Sequence, residues 1–474
     1  MEKFFKLKEN KTTVSTEILA GLTTFFTMAY IIFVNPAILS LNQGMSWNSV
    51  FVSTILASAV GTMIMAFFAN VPFALAPGMG ANAFFTFVLC KQMGFVWQEA
   101  LAIVVLCGLL IVLITVTKVR KVIVEAIPDF LKDAISGGIG LFIAYIGFKN
   151  ASFLKFLSDA GNYIILDNGS AISNSQIVPT LTLFNNPHAL LGLIGLVVMI
   201  ILIVKKVKGA IFIGIVISIV VGIPLGLVDI SKVKVFDFHS IMSIKDVAFC
   251  AFSSNGMGML FSDINKMILT STALLALLLS VTFDAIGTFI GAGRVSGIFN
   301  TKEENKLTHQ KGFSSEFERA LFADGVASCV GGVFGTSSVT TYVESAAGIS
   351  AGGRTGLTSF VVAIMFLLCL PFASLFNVVP PEATAPALII VGVLMISSVM
   401  RIKWTDYQEA IPAFLTLSVM AFAFNISYGI AAGFIFHCVL KLIDGKVKQI
   451  HPILAGTALL FLINFIIMAL KRIN

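Results

Sequence analysis

Leu75-Ala-Pro-Gly-Met-Gly-Ala-Asn82 and Gly335-Thr-Ser-Ser-Val-Thr-Thr-Tyr-Val-Glu344 interrupt otherwise continuous apolar sequence with glycines, hydroxyls and one strongly polar residue each. They fall at corresponding places in the two halves of the chain. A helix that breaks inside a bilayer leaves backbone N–H and C=O groups without partners, which is tolerated only where protein or a water-filled cavity satisfies them. Paired breaks of this kind predict the central binding site of a transporter.

The sequence around the breaks is suited to lipid. Of 474 residues, 57% are hydrophobic and 12% charged, with a mean hydropathy of +0.98, whereas a soluble domain carries roughly 25% charged residues. The chain reads as an all-α polytopic membrane protein. Its net charge of +7 does not point to nucleic acid, because most Lys and Arg flank apolar spans in the positive-inside pattern instead of forming a patch. The six cysteines mostly lie in apolar runs and show no CxxC or other metal spacing, so they read as small core residues. No Walker, HExxH or GxSxG motif occurs, which leaves ATP drive and common hydrolase chemistry unsupported. Residues 1 to 17 are basic and polar, and the apolar stretch after them is too long for a signal peptide, so the first helix is expected to be retained.

Runs able to cross about 30 Å of hydrocarbon lie near 18–40, 50–69, 98–117, 131–149, 188–204, 209–228, 267–293, 316–334, 356–377, 383–400, 408–424 and 425–441. The broken segments 72–90 and 336–350 complete fourteen spans. Lys118 to Lys121, Lys205 to Lys208, Arg294 to Lys311, Arg401 to Lys403 and Lys441 to Lys448 then share the side of the Lys-rich N-terminus, which predicts a multi-pass cytoplasmic-membrane protein with a cytoplasmic N-terminus. A fifteenth apolar run, 452–470, either crosses or lies along the surface. The polar stretches 150–187 and 229–265 read as external loops.

The halves repeat in order: a long helix, a second helix, a broken segment, then four more spans. Pro128-Asp-Phe-Leu-Lys-Asp-Ala matches Pro381-Glu-Ala-Thr-Ala-Pro-Ala. Seven is odd, so two such halves insert with opposite topology and bring their breaks together near the midplane. Residues 1–235 form the first expected repeat, 260–445 the second and 446–474 a C-terminal hydrophobic helix.

Ionisable residues inside spans are functional candidates because each is costly there. Asp284, in Ser280-Val-Thr-Phe-Asp-Ala-Ile-Gly-Thr288, reads as a ligand or proton group, the alternative being a helix-packing carboxylate bonded to a nearby hydroxyl. Glu344 ends the hydroxyl-rich break; otherwise it is an N-cap or a tether to Arg354. A nearby helix start favours its anion while burial opposes it, the balance a proton-coupled site needs. Asn82 can donate and accept towards a ligand, or satisfy broken backbone. Asp324 reads as a partner fixing the site, or as a helix-entry cap. Tyr342 and Phe283 are placed to sandwich a planar ring; with 43 Phe in the chain, only Tyr342 stands above background. Four of the five histidines fall in loops or span ends, and His437 reads as packing.

These residues carry a resemblance. Leu75 to Phe85, Phe283-Asp-Ala-Ile-Gly-Thr288, Thr336 to Gly348 and Gly352-Gly-Arg-Thr-Gly356 resemble the azaguanine-resistance-type branch of the nucleobase:cation symporter-2 family, within the xanthine/uracil permease superfamily, over essentially the whole chain. The resemblance implies fourteen spans as seven-plus-seven inverted repeats with spans 3 and 10 broken. It implies a core domain (18–118 plus 266–378) and a gate domain (128–228 plus 382–442), and a homodimer. Substrate would lie between spans 3, 8 and 10, touched by Asp284, Glu344, Asn82, Tyr342 and Phe283. Other branches carry Glu on span 8 and His one turn later; Asp284 and Thr288 stand there in this chain, and the shorter acid leaves room for a purine.

The expectation is proton-coupled import of a neutral purine, hypoxanthine or guanine before adenine, without a cofactor other than the proton. Asp284 and Glu344 would accept from ring N–H groups, amides of the span 10 half-helix would meet substrate acceptors, and Glu344, Asp284 and Asp324 would carry coupling. A sulfate-type anion exchanger shares the fold class, but paired buried acids repel anions. An intramembrane enzyme using the same acids would change its ligand chemically.

Overall fold

Span 1 is Val14–Met28 followed by Ile31–Leu39, and Pro36 in its second piece has no amide to donate, which favours a break. The computed structural model describes residues 2–117, 127–156, 163–165, 171–173, 179–228, 239–296, 315–377, 379–423 and 426–473. The predicted loop cations Lys118 to Lys121 and residues 297–311 lie outside them.

Each of the fourteen predicted spans is found. Span 2 is Trp47–Ile64 continued by a wider-wound turn, Met65–Ala69. Span 3 is strand β1 (Leu75–Pro77), a short helix Met79–Ala83 and a wide-wound helix Phe84–Gln92. Spans 4 to 8 are Trp97–Thr117, Asp129–Asn150, Pro187–Val204, Ala210–Gly222 and Ile264–Ser296. Span 9 is Glu316–Phe334, and span 10 is strand β6 (Val339–Thr341) followed by Ser345–Ser350. Spans 11 to 14 are Gly356–Leu368, Pro381–Ile396, Tyr407–Phe422 and Ile426–Ile443. Among the described residues seven of these helices are long and apolar enough to cross a membrane unaided.

Local sequence sets the helix starts. Thr13, Ser46, Asn186, Ser315, Thr355 and Asp406 each accept a backbone N–H from the turn they open, filling one of the donors a helix start leaves over. Spans 5 and 12 begin alike, directly after Pro128 and at Pro381, as the repeat predicts.

The helices pack in two groups. Span 1 lies on span 11, span 2 on spans 9 and 11, and span 4 on spans 8 and 9. In the other group span 5 lies on spans 12 and 13, span 6 on spans 7 and 12, and span 13 on span 14. Repeat-related spans 5 and 12 approach to backbone contact: a Cβ on Gly392 would sit 2.6 Å from the Gly140 carbonyl, and one on Gly140 2.9 Å from that of Gly392. The groups meet along spans 1, 3 and 8, where Gly80 of span 3 faces Ile139 of span 5.

Two connections carry more structure than their sequences predict. The stretch after span 5 holds two antiparallel pairs, β2 (Leu154–Phe156) with β5 (Pro179–Leu181) and β3 (Tyr163–Ile165) with β4 (Ala171–Ser173). Before span 8, tight turns seat Val247, Ala251 and Leu260 fully in the core. Three apolar anchors suffice, so counting polar residues under-reads this loop. The 452–470 run is a helix, Pro452–Ile473, that runs back along span 14, with the Phe465 and Tyr428 rings 5.2 Å apart.

Gly335 ends span 9 at φ +90°, and a Cβ there would lie 2.5 Å from the Val247 Cβ. Gly335→Ala is therefore expected to destabilise the fold by about 1–3 kcal/mol. Unfolding of purified protein in detergent should move to lower temperature, and an unshifted midpoint would contradict the packing.

Candidate functional site

The two breaks meet as a two-stranded antiparallel ribbon, Leu75 opposite Thr341, Ala76 opposite Thr340 and Pro77 opposite Val339. Ladder bonds continue at both ends: Gly78 N–H donates to Ser338 O at 3.0 Å and Tyr342 N–H to Ala74 O at 3.0 Å. Thr and Val suit the extended stretch of span 10, and Pro77, lacking an N–H, contributes its carbonyl instead, to Tyr342 Oη at 2.6 Å.

Polar side chains of spans 1, 2, 9 and 11 tie down the two broken segments. Asn35 of span 1 donates to Thr54 Oγ1 at 2.6 Å and Thr336 Oγ1 at 2.8 Å. Asn82 accepts from Ser337 Oγ. Ser338 donates to Ser328 Oγ of span 9 at 2.8 Å, and Ser328 donates to Val339 O at 3.0 Å. Thr62 of span 2 both accepts from Leu75 N–H and donates to Leu75 O, each at 2.9 Å. Ser345 accepts from Ala74 N–H at 3.0 Å, and Ser359 of span 11 donates to the Val71 and Phe73 carbonyls at 2.7 and 2.8 Å.

Asp324 is fully buried on span 9 and accepts from Thr341 N–H and Oγ1, both at 2.8 Å, and from Thr340 Oγ1 at 3.1 Å. All three donors belong to the ribbon, so its carboxylate braces β6. Asp284 lies where span 8 packs on β6 and on both half-helices; its Oδ2 is 3.7 Å from the point a Gly78 Cβ would occupy. It is half-buried, within electrostatic range of Asp324 and Glu344. Glu344 stands before the span 10 half-helix without capping it, and accepts from Tyr30 Oη at 2.5 Å.

The geometry thus brings Asp284, Glu344, Asp324, Asn82 and Tyr342 together. The side chain of Phe283 lies outside the described residues. A tether from Glu344 to Arg354 does not form: Arg354 Nη1 donates to the Ile349 and Gly353 carbonyls, both at 2.7 Å. The amides of Ser345, Ala346 and Ala347 close turns onto Tyr342, Val343 and Glu344 at 3.0 to 3.1 Å, so the expected amide contacts to a substrate are already occupied in this conformation.

The profile described as Permease family matches residues 15–432. The adenine permease AdeP of Escherichia coli (strain K12) is 38% identical over 98% of this chain and 96% of its own length. The guanine/hypoxanthine permease PbuO of Bacillus subtilis (strain 168) is 39% identical over 98% and 100%. The chain belongs to the nucleobase:cation symporter-2 family of permeases. It is a permease and not an enzyme. The transmembrane domain of a cyanobacterial bicarbonate transporter, BicA, overlays with a TM-score of 0.59 at 17% identity, covering 88% of this chain and 96% of that domain. That likeness concerns the fold, the seven-plus-seven inverted repeat.

Three residues of this permease escape sequence reading. Tyr30 sits in an apolar run, where a lone tyrosine reads as packing. Asn35 is adjacent to Pro36, a combination that signals a break in span 1. Glu17, fully buried at the start of span 1, accepts from Arg354 N–H at 2.9 Å, Thr355 N–H at 3.3 Å, Thr358 N–H at 3.2 Å and Thr358 Oγ1 at 2.6 Å, closing the start of span 11. As the acid just inside the first span, it carried a signal.

Asp324→Ala would strand the buried Thr341 N–H, and an unmet buried donor costs roughly 1–3 kcal/mol. Asn at 324 keeps one acceptor oxygen. Detergent melting curves should fall clearly for Asp324→Ala and much less for Asp324→Asn; equal losses would mean that charge, not bracing, is what this residue supplies.

Proposed function

We propose that this permease imports purine nucleobases by proton symport across the cytoplasmic membrane, with its N-terminus cytoplasmic. The observation that carries the reading is the placement of Asp284 on span 8 and Glu344 on span 10 around one ribbon, in electrostatic range of each other. Two carboxylates accept from the N–H edges of a purine while Tyr342, and Phe283 beside Asp284, wall its planar face. Asn82 accepts from Ser337 with its oxygen, and its amide nitrogen, which donates to Met79 Sδ at 4.0 Å, is the group it can turn to a substrate.

Coupling follows from charge. Like charges in one low-dielectric site repel, so a proton arriving on either acid relieves the repulsion and removes a buried charge before the core slides against the gate. Glu344 is the carrier this reading favours, with Asp284 as its partner and Asp324 coupled electrostatically while it holds the ribbon. A homodimer in the bilayer is the assembly the family resemblance implies.

Hypoxanthine and guanine are the favoured substrates. The similarity to an adenine permease at 38% beside a guanine/hypoxanthine permease at 39% keeps adenine as the second reading. The two differ in one exchange, an exocyclic donor on adenine against a carbonyl acceptor on the oxopurines.

Uptake of labelled hypoxanthine into cells lacking purine permeases should be abolished by a protonophore and blocked by unlabelled guanine but not by adenine or uracil. Blockage by adenine alone would move the assignment to adenine. Asp284→Asn keeps shape and loses charge, so uptake should fall by at least about tenfold, the equivalent of about 1.4 kcal/mol. Wild-type uptake by that variant would sink the assignment.

A further inference from the structure

Span 1 reaches Glu344 through the hydroxyl of Tyr30. Tyr30 lies in the turn between the two pieces of span 1, fully buried, where Phe33 and Val34 N–H groups fold back onto its carbonyl at 3.1 Å each. Its Oη donates to Glu344 Oε1 at 2.5 Å, across 314 residues of sequence, and its ring lies 6.5 Å from that of Tyr342. A hydroxyl donating to an ionised carboxylate makes a charge-assisted bond, about twice as strong as a neutral one. The groups facing this pair are Tyr342 of span 10 and Asp284 of span 8, with Asp324 of span 9 acting on Asp284.

We propose that Tyr30 is a positioning residue for Glu344: its hydroxyl engages Oε1, leaves Oε2 to face the site, and gives up its hold when Glu344 takes a new partner. This rests on the proposed reading of Glu344 as a transport carboxylate. A proton arriving on Oε2 removes the charge that strengthens the bond at Oε1, and a carboxylate that swings to a purine N–H breaks that bond, so either event loosens the hold on Tyr30. The release acts on a helix already broken at that point. Span 1 packs beside span 7 of the other helix group, where Gly209, just before that span, faces the Phe26 carbonyl at the distance a Cβ would make 3.0 Å. Occupancy of Glu344 is thereby communicated to the seam along which the two groups move.

Tyr30→Phe removes the hydroxyl and keeps the ring. In proteoliposomes the variant is expected to melt as wild type does and to transport, with the pH dependence of purine uptake displaced to higher pH. The sign follows from the bond: donation favours ionised Glu344, so without it the carboxyl holds its proton to higher pH. A structural role alone would lower activity without moving the profile. Glu344→Gln is run alongside. If it is inactive and the Tyr30→Phe profile is unmoved, the positioning role is overturned and the transport reading stands; if it transports like wild type, the reading itself fails and takes this role with it. Should Tyr30→Phe not fold, infrared spectra of the wild-type protein decide: a tyrosine C–O band that shifts on saturation with purine supports release, and an unshifted band overturns it.

Discussion

Two stretches of backbone must find hydrogen-bond partners where no lipid can supply them, and the rest of this structure follows from how they do so. Each break pairs with the other as β1 and β6, which satisfies part of both. An isolated pair of three-residue strands is not stable by itself. The remainder of the demand is met by side chains: Thr62, Ser328, Asp324, Ser345 and Ser359 each close a backbone group of the ribbon or its flanks. The hydroxyl-rich composition of span 10 is thus a structural necessity before it is a functional one.

Meeting that demand fixes the site. Because spans 1, 2, 3, 9 and 11 all contribute partners to one ribbon, the helices of that group are held as a rigid unit around it. Asp324 illustrates the economy of the arrangement. A carboxylate with three donors from the ribbon holds β6 in register, and through charge it also reaches Asp284. Glu344 follows directly on the ribbon strand anchored this way, and Asp284 projects from span 8, which packs on that strand and on both half-helices.

Among the described residues, apolar and small side chains make up the contact between the second helix group and this unit, as at Gly80 and Ile139. Within the second group, spans 5 and 12 pack backbone to backbone at Gly140 and Gly392. Strong bonding within each group and weak bonding between them is the mechanical prerequisite for one group to rock against the other. Span 1, broken at Tyr30 and touching both groups, is the element best placed to feel the state of the site.

Composition and apolar run length were enough to find twelve of the fourteen spans, because lipid imposes a length and a polarity that ordinary soluble folds do not. The breaks at spans 3 and 10 and the candidacy of Asp284, Glu344, Asp324 and Asn82 were legible too: clustered glycines and hydroxyls interrupt a spanning helix, and carboxyl and carboxamide groups are too costly in hydrocarbon to be incidental. The strand pairing was not, since three extended residues leave no periodicity to read. Nor were the partners. That Glu344 answers to Tyr30 and not to Arg354, that Asn82 meets Ser337, and that Val247 plugs the turn at Gly335 depend on contacts between residues far apart in the chain. Sequence fixes which groups cannot be left alone in a membrane; only the tertiary structure decides which ones satisfy each other, because hydrogen bonding is a matter of distance and angle between elements whose order along the chain carries neither.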